Sequence, residues 1–136
     1  KHAYAAAQVY RLLRNVLDAD MAEDTTLRLG VLTEYMETVV KVSEPDSTRE
    51  IMKDMFNNQA GIVAGEFARA NDESSYDAVM RLFTHGGLVS TGYQLLVDAP
   101  PERIEDYPQS VEDASHWFCE KQQAIKQMAQ DKMQAE

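Results

Sequence analysis

One long helical segment with polar groups on its apolar face constrains this chain more than any other feature. Between Ser47 and about Ala70, apolar residues recur at helical spacing, at Ile51, Met55 and Ile62. That spacing predicts a helix with one face in a core. Asp54 and Asn58 lie on or beside the same face. Burying a carboxylate or an amide without partners costs roughly 1–3 kcal/mol or more, so the fold must either satisfy these two groups or use them.

The pattern along the chain predicts an all-α fold, a single-domain bundle of about five helices over residues 1–136. The predicted helices cover 2–19, 24–42, 47–70, 75–84 and 111–132, with Ser110 as the cap of the last. The segment 88–97 is rich in β-branched residues but has no strand to pair with, so we expect it to be irregular or extended. Residues 98–109 hold most of the prolines and should form a loop before the last helix.

Apolar stripes predict which side chains of the first helices face inward. In the first helix the stripe is formed by Ala6, Val9, Leu13 and Val16, and Tyr10, Leu12 and Leu17 broaden it. In the second helix it is formed by Leu29, Leu32, Met36, Val39 and Val40. Residues 18–24 between them are predicted to be an acidic connector. In the third helix Gly61 and Gly65 lie four residues apart, on one face where a neighbouring helix can approach closely.

The charge of the chain excludes several classes of partner. The net charge is -10, whereas binding to a nucleic-acid backbone needs a basic face. The same charge argues against docking on anionic lipid, and no apolar run reaches the length of a membrane span. We therefore expect no nucleic acid and no membrane span, and we expect a protein partner, for which a basic surface would complement this charge. The sequence does not set the oligomeric state.

Four polar residues are the candidate site: His2, Asp54, Asn57 and Asn58. If the first and third helices cross near His2, its imidazole can meet Asp54, which would fix the tautomer and raise the basicity of the ring. Asn57 or Asn58 would then polarise a carbonyl or phosphoryl oxygen. Glu34, which borders the apolar stripe of the second helix, is a further candidate. The alternative is a buried polar network that locks the register of the helices.

A metal centre and a cysteine nucleophile are weaker interpretations of the same sequence. His2, His85, Asp54 and Glu34 could supply metal ligands, but zinc sites favour histidine pairs one helical turn apart, and the histidines here are isolated. We therefore expect no metal and no cofactor. The single cysteine, Cys119, has His116 three residues before it, but a lone helical cysteine is usually a small buried hydrophobic residue.

Two short motifs carry a resemblance to a known group of domains. The chain opens with His2-Ala3-Tyr4, and Asp54-x-x-Asn57-Asn58-x-x-Gly61 follows about fifty residues later. This arrangement resembles poorly characterised helical domains at the C-termini of bacterial polymorphic-toxin and secretion-associated proteins and in phage-related loci. The likeness covers about residues 2–89, with a closing part from Ala78 to Val89, and residues 98–136 fall outside it.

The resemblance implies an antibacterial effector that is secreted or delivered by a bacterial secretion system, and it implies that the four polar residues act together. It brings no established activity with it. Two hypotheses follow. The first is an effector domain with a hydrolytic site, in which His2 is the general base and Asp54 orients it, acting on a lipid or cell-wall substrate. The second is a non-enzymatic acidic interaction module, such as an immunity, adaptor or phage accessory protein.

Overall fold

The structure is a computed structural model and describes residues 2–40, 47–90 and 110–135. Within these ranges five helices follow one another: α1 (His2–Arg14), α2 (Ala19–Val40), α3 (Ser47–Ala70), α4 (Ser75–Thr84) and α5 (Val111–Gln134). Because α3 contacts each of the other four helices, they form one packed unit. The predicted all-α, single-domain bundle is confirmed.

The central position of α3 follows from apolar residues that extend round most of its circumference. Its buried residues include Ile51, Met52, Met55, Phe56, Ala60, Ile62, Val63, Ala64 and Ala68. A helix that is apolar on nearly all sides is stable only when it is enclosed. The N-terminal half of α3 packs against Trp117 and Phe118 of α5. The C-terminal half packs against Leu82 of α4 and Met133 of α5.

Short polar side chains cap three of the helices. Asp18, Ser74 and Ser110 precede α2, α4 and α5, and each accepts a hydrogen bond from the backbone N–H three residues further on, at 2.8, 3.0 and 3.1 Å. Each bond satisfies one of the N–H groups that a helix leaves unpaired at its start. The predicted cap at Ser110 is confirmed.

The connector predicted at residues 18–24 is wrong, because most of it belongs to α2. The first helix ends at Arg14 and the second begins at Ala19, directly after the cap at Asp18. Residues 19–24 include two alanines, a methionine and a glutamate, which are all strong helix formers. The turn between the helices is closed by Arg14, whose guanidinium donates to the carbonyl of Leu17 at 3.1 Å.

The inward faces predicted for α1 and α2 are also partly wrong. The predicted stripe included Val16, which is 80% exposed, and both Leu29 and Leu32 are exposed as well. The face that α1 buries consists of Ala3, Ala6, Ala7 and Tyr10. Where Ala3 and Ala7 face α3, the two backbones lie so close that a larger side chain would not fit between them.

Other predictions fall partly or wholly outside the described residues. Residues 88–90 are not helical, in line with the irregular segment predicted over 88–97, but 91–97 and the loop at 98–109 lie outside the described ranges. Cys119 is exposed, so the prediction of a buried cysteine is wrong. No helix of the described chain is long and apolar enough to cross a membrane.

Candidate functional site

The candidate site depends on how closely α1 and α3 approach. The two helices run in the same direction, since Ala3 faces Gly61 and Ala7 faces Gly65. A Cβ at Gly61 would overlap the backbone of Ala3, and one at Gly65 would lie 3.0 Å from the carbonyl oxygen of Ala7. The predicted close approach at these glycines is therefore confirmed, and it fixes the start of α1 just past the middle of α3.

At that position the imidazole of His2 lies beside the buried carboxylate of Asp54. Side chains tilt towards the N-terminus of their helix, so His2 reaches back along α3 by about two turns. Its Nε2 is 3.5 Å from Oδ2 of Asp54, whose side chain is 9% exposed against 39% for His2. The other carboxylate oxygen faces Lys53 Nζ at 3.8 Å. The second ring nitrogen of His2, Nδ1, has no hydrogen-bond partner among the described residues.

Asn58 lies one helical turn after Asp54 and is 7% exposed. No group of the described chain is hydrogen bonded to its side-chain amide. Gly30 of α2 lies against that amide, and a Cβ at this glycine would be 2.6 Å from Asn58 Nδ2. The Asn58 amide therefore occupies the space that the Cβ of any residue other than glycine would need at position 30. An amide that is almost buried and has no partner is destabilising, unless a ligand or solvent molecule bonds to it.

His2 and Asn58 line the same pocket, which has a volume of about 250 Å³ and lies between α1, α2 and α3. Its other lining residues are Ala5, Ala6, Val9, Thr26, Leu29 and Gly30. The hydroxyl of Thr26 is already bonded to the carbonyl of Ala22 at 2.7 Å. The walls are therefore mainly apolar, and the polar side-chain groups available to a ligand are those of His2 and Asn58.

Of the predicted site residues whose side chains are described, His2 and Asn58 line this pocket, whereas Asp54 lies beside His2 without lining it and Asn57 lies elsewhere. Asn57 points elsewhere, because successive helical residues differ by about 100° in direction. Its Nδ2 donates to the carbonyl of Val89, and its Oδ1 accepts from the N–H of Val89, both at 3.0 Å. Asn57 therefore fixes the chain after α4 against α3. Glu34 belongs to α2, but its side chain lies outside the described part of the structure.

A second polar cluster, which the sequence analysis missed, lies at the other end of α1. Glu66 accepts hydrogen bonds from Arg69 at 2.6 and 2.9 Å and from the buried hydroxyl of Tyr10 at 2.7 Å. The hydrogen bonds from Arg69 are the largest cause that lowers the pKa of Glu66, which falls to about 2, and the bond from Tyr10 adds to it. Burial, together with the hydrogen bond to Glu66, raises the pKa of Tyr10. The cluster borders a pocket of about 360 Å³. A carboxyl held so firmly ionised is suited to a structural ion pair rather than to proton transfer.

One feature of the sequence could have identified Gly30 as a contact point, but no local feature could have identified the contacts of Glu66. A glycine inside a helix is unfavourable by about 1 kcal/mol relative to alanine, so Gly30 could have been singled out as a point of close contact. Glu66 lies between Gly65 and Phe67, and its partner Tyr10 is 56 residues away in sequence. No local pattern connects residues that far apart.

The described residues do not assemble a metal centre. They contain no group of three or more histidine, cysteine, aspartate or glutamate side chains that could hold an ion. His85, a candidate ligand in the sequence, is instead bonded through Nδ1 to the carbonyl of Lys132 at 2.8 Å. That contact joins the end of α4 to the last turn of α5.

No protein-family model matches the sequence, and comparisons with curated proteins and with solved structures find no match either. The resemblance of residues 2–89 to toxin-associated helical domains therefore stays a prediction.

Proposed function

We propose that this chain is a bacterial effector-like helical domain that hydrolyses small acyl esters or amides at the His2–Asp54 pair. One observation carries the proposal. His2, which is paired with Asp54, lines an apolar pocket of about 250 Å³, and the Asn58 amide that also lines this pocket is nearly buried and has no hydrogen-bond partner among the described residues. The effector class is supported by the resemblance alone, and the chemistry is supported by the geometry. Delivery by a bacterial secretion system belongs to the same proposal.

In the proposed reaction His2 is the general base. Asp54 accepts the Nε2–H of the ring, which leaves Nδ1 free to take a proton from water. The water oxygen adds to the carbonyl carbon, and the carbonyl π electrons move to its oxygen, where the Asn58 Nδ2–H donates to the developing negative charge. When the intermediate collapses, the bond to the leaving group breaks, and the imidazolium returns its proton to that group.

The surroundings of the pair suit this division of roles. Asp54 is buried, so its negative charge acts through a medium of low polarity and stabilises the imidazolium that forms during the reaction. A cavity of about 150 Å³ accommodates benzene, so a pocket of about 250 Å³ has room for an acyl group of about six carbon atoms. The net charge of -10 disfavours a nucleic-acid substrate and leaves an uncharged lipid or cell-wall derivative as the better match.

The test is hydrolysis of p-nitrophenyl acetate, hexanoate and dodecanoate by the whole chain. We expect the hexanoate to give the highest kcat/KM, and His2→Ala and Asp54→Asn each to lower that value by at least about 100-fold. His116→Ala is the matched control, because His116 is exposed and would contribute only the unspecific reactivity of a free imidazole. Asn57→Ala should also keep its activity, since Asn57 binds Val89 rather than the pocket. If His2→Ala and His116→Ala behave alike, the hydrolytic assignment is wrong.

The second candidate is a non-enzymatic interaction module, and exposed apolar side chains on α4 favour it. In that case Asp54 and Asn58 would serve the packing of the helices. The two candidates differ in the stability of Asp54→Asn and Asn58→Leu. A structural network should lose about 1–2 kcal/mol in each variant, whereas residues kept for function often give a more stable protein when replaced. Thermal unfolding of both variants separates the two cases.

A further inference from the structure

α4 is apolar on two sides, and the bundle covers only one of them. Ala78, Val79 and Leu82 are buried against α3 and α5. On the neighbouring side of the helix Tyr76, Met80 and Phe83 recur at i, i+4 and i+7, and they are 41–59% exposed. Residues at this spacing form one ridge along a helix. A helix with apolar residues on both sides is normally covered on both.

Tyr4 of α1 extends this ridge into a continuous surface. It is exposed, and its ring lies edge-on to that of Tyr76, with 6.2 Å between the ring centroids and 77° between the planes. We call these four residues, Tyr4, Tyr76, Met80 and Phe83, the apolar ridge. Contiguous exposed apolar surface of this kind is uncommon on a protein that acts alone and often marks a binding surface.

The charges around the apolar ridge are mainly negative, because the nearby arginines are used within the bundle. Arg11 donates to the carbonyl of Glu73 and to the hydroxyl of Ser75, both at 3.0 Å. Arg81 pairs with Glu73 and lies over the ring of Phe67, 4.9 Å from its centroid. Contacts of this kind hold the two guanidinium groups against the protein rather than towards a partner.

Asp72 and Asp77, in contrast, are exposed, and neither has an ion-pair partner among the described residues. They lie just before α4 and in its first turn, next to Tyr76. A second copy of this chain would bring another net charge of -10 to the same surface. Charge complementarity therefore selects a basic partner over self-association.

We propose that the apolar ridge is a docking site for a basic amphipathic α-helix of a partner protein. The apolar side of the partner helix would pack along Tyr76, Met80 and Phe83. Lysine or arginine residues on the flank of that helix would face Asp72 and Asp77. A helix is the natural occupant because ridges at i, i+4 spacing pack into the grooves of another helix. This surface is separate from the hydrolytic pocket, since Tyr4 faces α4 whereas Ala5 and Val9 line that pocket.

The probe is a fluorescent helical peptide of leucine and lysine, about five turns long, whose binding to the whole chain is followed by anisotropy. We expect Tyr76→Ser/Phe83→Ser to bind at least about tenfold more weakly than the unchanged protein. The matched control is Leu12→Ser/Val16→Ser, which removes two exposed apolar residues outside the ridge, one in α1 and one in the turn after it, and should bind within about twofold of the unchanged protein. Equal binding by both double variants would overturn the proposal.

Two further measurements test the chemistry of the partner. Asp72→Asn/Asp77→Asn should weaken binding and flatten its dependence on salt, because screening acts on exposed charges. If a peptide with glutamine in place of lysine binds as tightly as the original, the partner is not selected by charge and that part of the proposal is wrong. If sedimentation shows a dimer that Phe83→Ser abolishes, a second copy is the occupant. Ester hydrolysis should be the same in Phe83→Ser, so failure here does not bear on the proposed catalysis.

Discussion

At the scale of single residues, Glu66 is a carboxylate with several hydrogen-bond partners among the described residues. It accepts two hydrogen bonds from Arg69 and one from Tyr10, and Arg14 Nε lies 3.4 Å away. The lowered pKa of Glu66 expresses the free energy of these bonds, which exist fully only while the carboxyl is ionised. Since Tyr10 and Arg14 belong to α1, Glu66 holds the second half of α1 to α3.

This gives a prediction for stability against pH. The pKa of Glu66 is about 2 in the folded state against an ordinary value of 4.5, so its contribution is present above pH 4.5 and is lost as the pH falls towards 2. We expect Glu66→Gln to lower the free energy of unfolding by about 1 kcal/mol at pH 7, a figure reduced because about a third of the side chain is exposed to solvent. The difference from the unchanged protein should shrink on acidification, as measured by urea unfolding at pH 7, 4 and 2.5.

Glu120→Gln is the control for this measurement, since Glu120 is exposed on α5. It should change stability little at any of the three pH values. A difference between Glu66→Gln and the unchanged protein that stays constant down to pH 2.5 would contradict the role given to the ionised carboxyl.

Predictions for single residues were correct where they depended only on the spacing of residues within one helix. Asp54 and Asn58 are four apart on the apolar side of α3, and both are buried. The partner of Asn57 is the backbone of Val89, 32 residues away, which no spacing rule reveals. Gly30 likewise meets Asn58 only because α2 crosses α3 at that point. Periodicity therefore gave the burial of these polar groups but not their partners.

At the scale of helices, the contact between α1 and α3 is made by small residues rather than by bulky ones. The glycine spacing correctly predicts the close face of α3, but the predicted inward stripe of α1 includes Val16, which is exposed, and omits Ala3 and Ala7, which are buried. Hydrophobicity scales favour valine over alanine for burial. At a close helix crossing, however, small side chains pack better because they allow the two backbones to come into contact. The predicted boundaries of α3 and α4 agree with the structure, whereas the face that α1 buries depended on its neighbour.

Gly61→Ala and Gly65→Ala form a matched pair that tests this crossing. Both changes gain about 1 kcal/mol in helix propensity. At Gly61 the added methyl would overlap the backbone of Ala3, which cannot move without shifting α1. We expect a net loss of about 2 kcal/mol for Gly61→Ala, typical of overpacking, and a fall in Tm of roughly 5–10 °C.

At Gly65 the nearest atom would be 3.0 Å away, at the limit of what small adjustments absorb. Gly65→Ala should therefore lose less than about half as much stability as Gly61→Ala. Because α1 carries His2, the proposed hydrolysis should fall with Gly61→Ala as well. Equal Tm values for the two variants, measured by circular dichroism, would show that the crossing is looser than the structure has it.

At the scale of the whole molecule, α3 organises the bundle and α1 completes it. Three buried clusters meet on α3, and α1 contributes to two of them through Ala3, Ala7 and Tyr10. Both the proposed site and the apolar ridge need α1, since it carries His2 and Tyr4. The sequence could predict that helices surround the third one, but not that the first runs parallel to it, because this arrangement depends on contacts between distant segments.

The last prediction concerns a chain that begins at Asp18, which keeps the cap of α2 but lacks α1. Removing α1 would expose the glycine face of α3 and leave Glu66 without Tyr10 and Arg14. We estimate a loss of about 5 kcal/mol or more, comparable to the whole stability of a typical domain. The truncated chain should therefore lose its cooperative thermal transition and bind the dye ANS, as loosely packed states do.

A synthetic peptide of residues 1–17, added to the truncated chain, should restore the transition, because it supplies the missing alanines and Tyr10. The matched control peptide carries Ala3→Leu and Ala7→Leu, which are too large for the space beside Gly61 and Gly65. It should fail although it is the more hydrophobic of the two. If the control peptide restores folding equally well, general hydrophobicity rather than close packing holds α1. In that case the position of His2 over Asp54 would lose its physical basis.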